Sequence, residues 1–419
     1  MIRRTVMQFD VAITGGGLSG LLCGINLQAG GRKVVIVSSG ESSLIMSSGS
    51  FELLGKAGGK RVENPLDSLG ELPAEHPYNI IGKEAMTVIC QKLPDLLGDC
   101  GISVRGSAEK NMLRLTPVGR FKPCWLALDS LFTTDGFSDL PSSVLIAQPE
   151  GFMDADSSFM AEALEKKGVS CRIASICFDE LSTLRGNASE FRAVAIARQS
   201  DSTTFLDKVA ASLTSSLKGE KLVLVPAAFG LRNDHAMKYL SVKTDVSVLS
   251  YPTLPPSAPG VAMASKLRCA FEGLGGTFIN GDTVESADIE DGLVKAIYTE
   301  KLGSDPIVAT DYVLASGSFL GRGLRSDMNH IYEPVFGADV VAADSRQQWY
   351  SPDFFAAQAY QGFGVASDSS FRLSVDGATV ANLYGAGMVL AGADVIEEQS
   401  KEGVEIATAC AVADNILKK

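Results

Sequence analysis

The chain has 419 residues, 46% hydrophobic and 21% charged, a mix that suits two or three globular domains and excludes extended disorder. Its formal net charge of −12 at pH 7 excludes a nucleic-acid binder, which needs clustered cations, and opposes direct adhesion to anionic lipid. A phosphate-bearing substrate gains no global steering from such a molecule, so local arginines must hold it.

The eight cysteines (Cys23, Cys90, Cys100, Cys124, Cys171, Cys177, Cys269 and Cys410) lack the close spacing of zinc or iron–sulfur ligands, and read as reduced, mostly buried thiols of a cytoplasmic protein. No stretch reaches the roughly 18 uninterrupted apolar residues of a membrane span. The basic start at Arg3 and Arg4 is followed by an apolar run that breaks at Gly15 without a cleavage site, so no signal peptide is expected.

Phe9 to Thr14 reads as a buried strand running into Gly15-Gly16-Gly17-Leu18-Ser19-Gly20. Leu18, Leu21, Leu22, Ile25 and Ala29 then recur with helical spacing, Gly30-Gly31 ends the helix, and Val34 to Val37 supplies a second strand. Strand, glycine fingerprint, helix and strand together form the context that a dinucleotide-binding unit requires. Gly15 permits the tight turn, Gly17 lets a pyrophosphate approach the backbone, and Gly20 lets helix and strand pack closely. The helix start offers free N–H groups to the phosphate.

One part of the pattern is absent. The acid that grips a ribose hydroxyl about 20 residues on is replaced by Ser38-Ser39, and Glu41 lies beyond in a loop. A shorter flavin, FMN, or an FAD held differently, is the expected cofactor. The serine-rich loop Ser42 to Ser50 follows, with Ser42, Ser48 and Gly49 as candidate flavin contacts.

Further strands are expected at Val144–Ile146, Cys171–Phe178, Leu222–Val225 and Val246–Leu249, with a helix at Ser157–Lys167, forming a second α/β lobe inserted into the first domain. Four prolines between Tyr251 and Gly260 predict an irregular crossing segment. A helix (Val261–Glu272), a strand near Phe278, a hairpin around Asp291-Gly292 and the strand Tyr312–Leu314 follow, the last entering the loop Ser316-Gly317-Ser318. A final strand, Asn382–Tyr384, enters Gly385-Ala386-Gly387, and a C-terminal helix runs from about Gly403 to Leu417. The fold class is therefore α/β: a Rossmann-like flavoprotein of the glutathione reductase/fumarate reductase type. Expected parts are 1–71, 261–325 and 380–419 for flavin, 72–260 for the inserted lobe and 326–379 as a substrate-side segment.

Asp10–Gly24, Ser47–Leu54, His76-Pro77-Tyr78, Pro252–Gly260, Leu314–Phe319, Asp353-Phe354-Phe355 and Asn382–Gly387 together resemble the B-subunit family of anaerobic glycerol-3-phosphate dehydrogenases, over nearly the whole chain. The resemblance implies FMN in this polypeptide and a complex with an FAD-bearing catalytic A subunit and an iron–sulfur, membrane-associated C subunit. It implies oxidation of sn-glycerol 3-phosphate to dihydroxyacetone phosphate, with electrons passed to quinone and on to fumarate or nitrate. The protein is then cytoplasmic, and any link to the inner membrane runs through a partner. The chain departs from the family before the last helix. Where a run of glycines is expected, it has Glu397-Glu398-Gln399-Ser400-Lys401-Glu402-Gly403, whose carboxylates oppose a negative flavin ring.

His76, in a family-matching segment, is the candidate general base. Asn187 and Glu190 read as a helix cap. On the helix after it, Arg198 shares a face with Phe191, Val194 and Ala195, about 120° from Arg192, and is either a buried ion pair or a phosphate anchor. Arg372, beside Asp368, is the preferred phosphate ligand, with Arg322 and Arg325 as rivals. Two functions fit: a flavin-dependent oxidoreductase subunit, or a non-catalytic assembly or electron-relay subunit on a flavoprotein fold. The serine at position 38 argues against a pyridine-nucleotide dehydrogenase.

Overall fold

The computed structural model describes residues 6–186, 191–232 and 235–419. The chain divides into two compact units. Unit 1 comprises Met1–Ser43, Glu52–Leu93 and Leu267–Lys419, and unit 2 comprises Leu44–Phe51 and Pro94–Lys266. The lobe expected from residue 72 thus starts later, and it takes Leu44–Phe51 from the stretch assigned to the first part.

In unit 1, Met7–Thr14 (β1) leads through the glycine turn into Leu18–Ala29 (α1) and Val34–Ser38 (β2). After unit 2 come Thr277–Asn280 (β3), Val284–Glu290 (β4), Leu293–Thr299 (β5), Ile307–Leu314 (β6), Arg372–Val375 (β7), Ala378–Gly385 (β8) and the helix Lys401–Leu417 (α2). The sheet order is β3-β2-β1-β6-β5-β4, with β8 also paired to β6 and β7 to β8. The pairs β3–β2, β2–β1, β1–β6 and β6–β8 are parallel. Such strands are covered on both faces and so read as unbroken apolar runs. Val11–Ile13 and Val34–Val37 are at most 2% exposed. The helices α1 and α2 pack against each other. At the β4–β5 turn, Asp291 (φ 52°) and Gly292 (φ 72°) both take positive φ, as a two-residue hairpin of right-handed twist demands.

Strand β6 changes partners along its length. Its start faces β5 (Ile297↔Ile307), and its end faces β8 (Tyr312↔Leu383 to Leu314↔Gly385). A fork of this kind strands backbone groups that a continuous ladder would pair. Asn382 fills the gap: its Oδ1 accepts from Val294 N–H at 2.8 Å, and its Nδ2 donates to the carbonyls of Val294 and Thr310 at 3.0 Å.

Unit 2 holds a four-stranded parallel sheet in the order Ser170–Ile176, Ser143–Pro149, Leu222–Pro226, Ser247–Tyr251. Val144, Leu145, Ile146, Val223, Leu224 and Val225 are fully buried in its core. The helix Ser157–Glu165 is capped by Asp156, whose carboxylate accepts from Ser158 N–H at 2.8 Å. One expectation is corrected here. The proline-rich segment is not irregular to its end, because a helix, Ala258–Gly273, begins inside it. Pro259 sits in the first turn, where a missing N–H leaves no helical bond unmade.

The cysteines also differ from expectation. All eight are free thiols, but only Cys23, Cys90 and Cys124 are buried, and Cys177 and Cys269 are exposed. Among the described residues no helix is long and apolar enough to cross a membrane, and no group of His, Cys, Asp and Glu could hold a metal.

Asn382→Ala leaves the buried Val294 N–H and carbonyl without this partner. We expect a loss of about 3 kcal/mol, read as a lowered urea midpoint with an unchanged slope.

Candidate functional site

The site is built on the turn between β1 and α1. Gly15 has φ 117°, and a Cβ there would lie 2.2 Å from the Ala315 carbonyl oxygen. A Cβ at Gly20 would lie 1.9 Å from the Gly15 carbonyl oxygen. Both positions therefore exclude any side chain, and their backbones meet directly. Gly17 differs. As the N-cap of α1 it has no side-chain cap, and a Cβ there would meet nothing nearer than Ser42 Cβ at 3.8 Å. Its missing side chain thus leaves an opening over the helix start. No acidic residue occupies the first turn of α1, where Leu18, Ser19 and Gly20 begin a helix whose first N–H groups lack acceptors and whose dipole favours an anion.

Two buried hydroxyls stand at the same edge of the sheet without partners: Thr14 Oγ1 at the end of β1 and Ser316 Oγ just past β6. Buried polar atoms of this kind call for a ligand or a water. The open cradle at Gly17 and these hydroxyls fit the phosphate and polar ring edge of a flavin nucleotide. Gly317 follows Ser316 with φ 78°. Gly387 has φ 79°, and a Cβ there would lie 2.1 Å from Ser19 Oγ. The Gly387 N–H donates to Thr408 Oγ1 of α2 at 2.8 Å, which ties the last strand's loop to both helices.

At Gly16 an added Cβ would lie 2.7 Å from both Phe278 Cζ and Ser38 Oγ. Ser38 donates to the Gly40 carbonyl at 2.9 Å, so its hydroxyl is turned into its own loop. The serine-rich loop is divided between the units. Ser42 belongs to unit 1, while Ser48 and Gly49 belong to unit 2. There Ser48 and Ser50 share a hydroxyl hydrogen bond of 2.8 Å, and Gly49 (φ 87°) packs beside Leu128 and Pro259.

His76 is not placed to act as a base. It is fully buried and caps the helix Pro77–Ile81, where its Nδ1 accepts from Tyr78 N–H at 3.1 Å. Its Nε2 meets Glu398 Oε2 at 3.1 Å. Both ring nitrogens are committed, which leaves none for a substrate proton. Glu398 Oε2 also accepts from Ser400 Oγ at 2.9 Å. Burial works to raise the Glu398 pKa, but the His76 and Ser400 hydrogen bonds hold it below the ordinary carboxylate value. The carboxylates before α2 are accordingly absorbed by the protein itself. Glu397 pairs with Lys56 at 3.3 Å, and Glu402 accepts from Glu52 N–H at 3.2 Å.

The arginine candidates are corrected in the same way. Arg372 makes a two-pronged pair with Asp368, both contacts at 2.8 Å, so the edge suited to phosphate is already taken. Arg198 is exposed on the helix Ala193–Gln199, whose buried face is Ala193, Ile196 and Ala197. It therefore lies off the apolar face, and the salt bridge in that region is Arg192–Asp154, at 2.8 Å. The expected cap at Asn187 and Glu190 lies outside the described residues.

The structure adds two residues that sequence reasoning missed, Lys401 and Glu405, four apart on the first turns of α2. Glu405 is buried, and its Cγ lies 3.7 Å from the position a Cβ on Gly387 would occupy. Burial, reinforced by Glu402 and opposed by Lys401, pushes the Glu405 carboxyl up to about 7. Lys401 is held above its ordinary value, chiefly by the Glu405 carboxylate. A lone carboxylate, Glu405, inside the apolar run Val404, Ile406 and Ala407, four residues after Lys401, was the available signal.

Two outcomes test these assignments. Between the ordinary carboxyl value of 4.5 and about 7, folded Glu405 keeps a proton that the unfolded chain releases, so its effect is a loss of stability as pH rises through that window. Glu405→Gln should remove that fall, on the order of 3 kcal/mol, in denaturation series from pH 4.5 to 8. His76→Ala should cost about 3 kcal/mol by emptying a fully buried site, uncapping Tyr78 N–H and removing one partner of the half-buried Glu398, whereas His76→Asn, which keeps the cap, should recover part of it.

With this geometry in view, a family model described as an FAD binding domain matches residues 10–404. The anaerobic glycerol-3-phosphate dehydrogenase B subunit of Yersinia enterocolitica is 37% identical over 417 residues, 98% of each chain. The protein of that name from Glaesserella parasuis is 35% identical over 426 residues, covering 98% of this chain and all of its own. Among solved structures, a flavocytochrome c3 fumarate reductase aligns with TM-score 0.44 and 9% identity, over 98% of this chain and 78% of that one. A 3-ketosteroid delta1-dehydrogenase from Sterolibacterium denitrificans aligns with TM-score 0.43 and 11% identity, over 98% and 99%.

Proposed function

Because the chain belongs to the family of anaerobic glycerol-3-phosphate dehydrogenase B subunits, we propose that it is the flavin-bearing member of a complex that oxidises sn-glycerol 3-phosphate to dihydroxyacetone phosphate. The other members are a catalytic, FAD-bearing A subunit and an iron–sulfur C subunit that meets the membrane, with quinone as the acceptor. This places the chain in the cytoplasm, beside the inner membrane through its partners.

The observation that carries the flavin assignment is the uncovered start of α1. Gly17 leaves the first N–H groups accessible, and Thr14 and Ser316 supply buried hydroxyls without partners. These groups would hold the flavin's phosphate and a polar edge. The flavin, when bound, accepts two electrons from the substrate's alcohol carbon or from another carrier and releases them one at a time. The residues of this chain do the positioning. The α1 amides bind the phosphate, Gly15 and Gly20 fix the angle of the helix to the sheet, and Gly387 keeps α2 close to Ser19. FMN in place of FAD is supported by position 38, where a serine bonded into its own loop stands in for the ribose-binding carboxylate.

A second function, electron relay or assembly with substrate oxidised on another subunit, is favoured by one observation. His76 and Arg372, the residues nominated to take the proton and the phosphate, are both committed to internal partners.

The test is flavin binding. The purified chain should show flavin absorbance near one equivalent after reconstitution with FMN. Gly17→Ala has room for its methyl in the folded protein, so stability should fall only by an N-cap cost of about 1 kcal/mol while flavin affinity drops at least tenfold, the loss expected when backbone approach to a phosphate is blocked. A colourless wild-type chain that refuses both FMN and FAD would sink the proposal.

A further inference from the structure

One buried acid of unit 1 finds no partner inside the protein. Glu405, early in α2, is 8% exposed, and among the described residues no hydrogen bond or ion pair ends on its carboxyl. Lys401, four residues back, acts on it as a charge at a distance. The neighbouring acids are spent: Glu397 pairs with Lys56, Glu398 with His76 and Ser400, and Glu402 with the Glu52 N–H. A buried polar group left over in this way calls for a ligand or a water.

The register of the sheet sets where that carboxyl stands. Thr14 of β1 is level with Leu314 of β6, and Leu314 with Gly385 of β8. The chain past each strand therefore leaves from one edge: Gly15 to Gly17 after β1, Ser316 after β6 and Gly387 after β8. This is the carboxyl edge of parallel strands, where open α/β sheets bind their ligands. Gly387 is the spacer between the two helices. A Cβ on it would lie 2.1 Å from Ser19 Oγ of α1 and 3.7 Å from Glu405 Cγ of α2. Glu405 thus stands one glycine away from the first turn of α1, at the edge that also carries the unpartnered hydroxyls of Thr14 and Ser316.

The protonation state decides what this acid can do there. The phosphate oxygens and ring carbonyls of a flavin nucleotide accept hydrogen bonds. An ionised carboxylate only accepts, whereas a protonated one donates. Burial pushes the Glu405 carboxyl up to about 7, so the donating form persists to neutral pH. The titratable groups packed around it leave that form in place. On its own helix Glu402 raises the value and Lys401 lowers it, while Glu52 acts on Lys401. The helix α1 brings only Cys23, and the helix Pro77–Ile81 only Tyr78, both held neutral by burial. The turn at Ala386 to Val389 brings none. Tyr384 of β8 lies under Lys419, past the far end of α2.

We propose that Glu405, in its protonated form, joins the α1 amides in holding the flavin nucleotide, as a hydrogen-bond donor. The proposal rests on the flavin-bearing function given above. Loss of the proton removes the donor and sets a negative charge beside an anionic ligand. Flavin affinity therefore falls as pH rises through about 7, and binding above that pH draws a proton back onto the carboxyl.

The experiment is fluorescence titration of the flavin-free full chain with FMN, and with FAD if FMN is refused, from pH 6 to 8.5. Proton uptake is read alongside by calorimetry in buffers of different ionisation enthalpy. Wild-type affinity should fall roughly thirtyfold across the range, as the protonated fraction does, and binding at pH 8 should take up about one proton per flavin. Glu405→Gln, which donates at every pH, should keep a level affinity and exceed wild type at pH 8.5 by about tenfold or more. Glu405→Leu, which cannot donate, should bind weakly throughout. Parallel pH profiles for wild type and Glu405→Gln overturn the proposal and leave the flavin-bearing function standing. A wild-type chain that binds neither flavin at any pH overturns both. Should the variants unfold, the wild type decides alone: binding at pH 8 without proton uptake overturns the proposal.

Discussion

Everything at the candidate site follows from a place where two backbones touch because neither carries a side chain. The Gly20 position abuts the Gly15 carbonyl, and the Gly15 position abuts that of Ala315. A methyl at either point would push α1 off the sheet or β6 away from β1. With both absent, α1 starts directly above the ends of β1 and β6, and its unsatisfied amides point into the space beyond the strands. The opening at Gly17 is a different matter: a Cβ there would meet nothing nearer than 3.8 Å, so packing leaves that position open. Packed and open glycines in one hexapeptide are thus separable by what a Cβ would strike.

The start of the last helix shows the reverse strategy. Where a bare glycine run would leave the dipole free, this chain inserts acids and then neutralises them from within. His76 and Ser400 hold Glu398, a backbone N–H holds Glu402, and burial raises the Glu405 carboxyl to about 7 against the pull of Lys401. The histidine that sequence nominates for catalysis is consumed in this arrangement. The consequence for chemistry is direct. The site keeps an open helix start and two buried hydroxyls without partners, and it lacks a free base at the position expected. The segment expected to face substrate, residues 326–379, contains the internally paired Asp368–Arg372.

The sequence by itself determined the parallel core and the glycine turn. Strands buried on both faces must be unbroken apolar runs, and a fingerprint of three glycines between two such runs admits few other structures. It also determined the hairpin at Asp291-Gly292, since positive φ at adjacent residues favours that pair. The roles of polar side chains were decided only by tertiary structure. His76 and Glu398 are 322 residues apart and meet because α2 returns beside the helix at Pro77. Asn382 and Val294 are 88 apart and meet because β6 changes partners. Local pattern reports what a residue's own segment needs. Whether a buried polar group is spent or free depends on what the rest of the chain brings to it, and that information is carried by no window of the sequence.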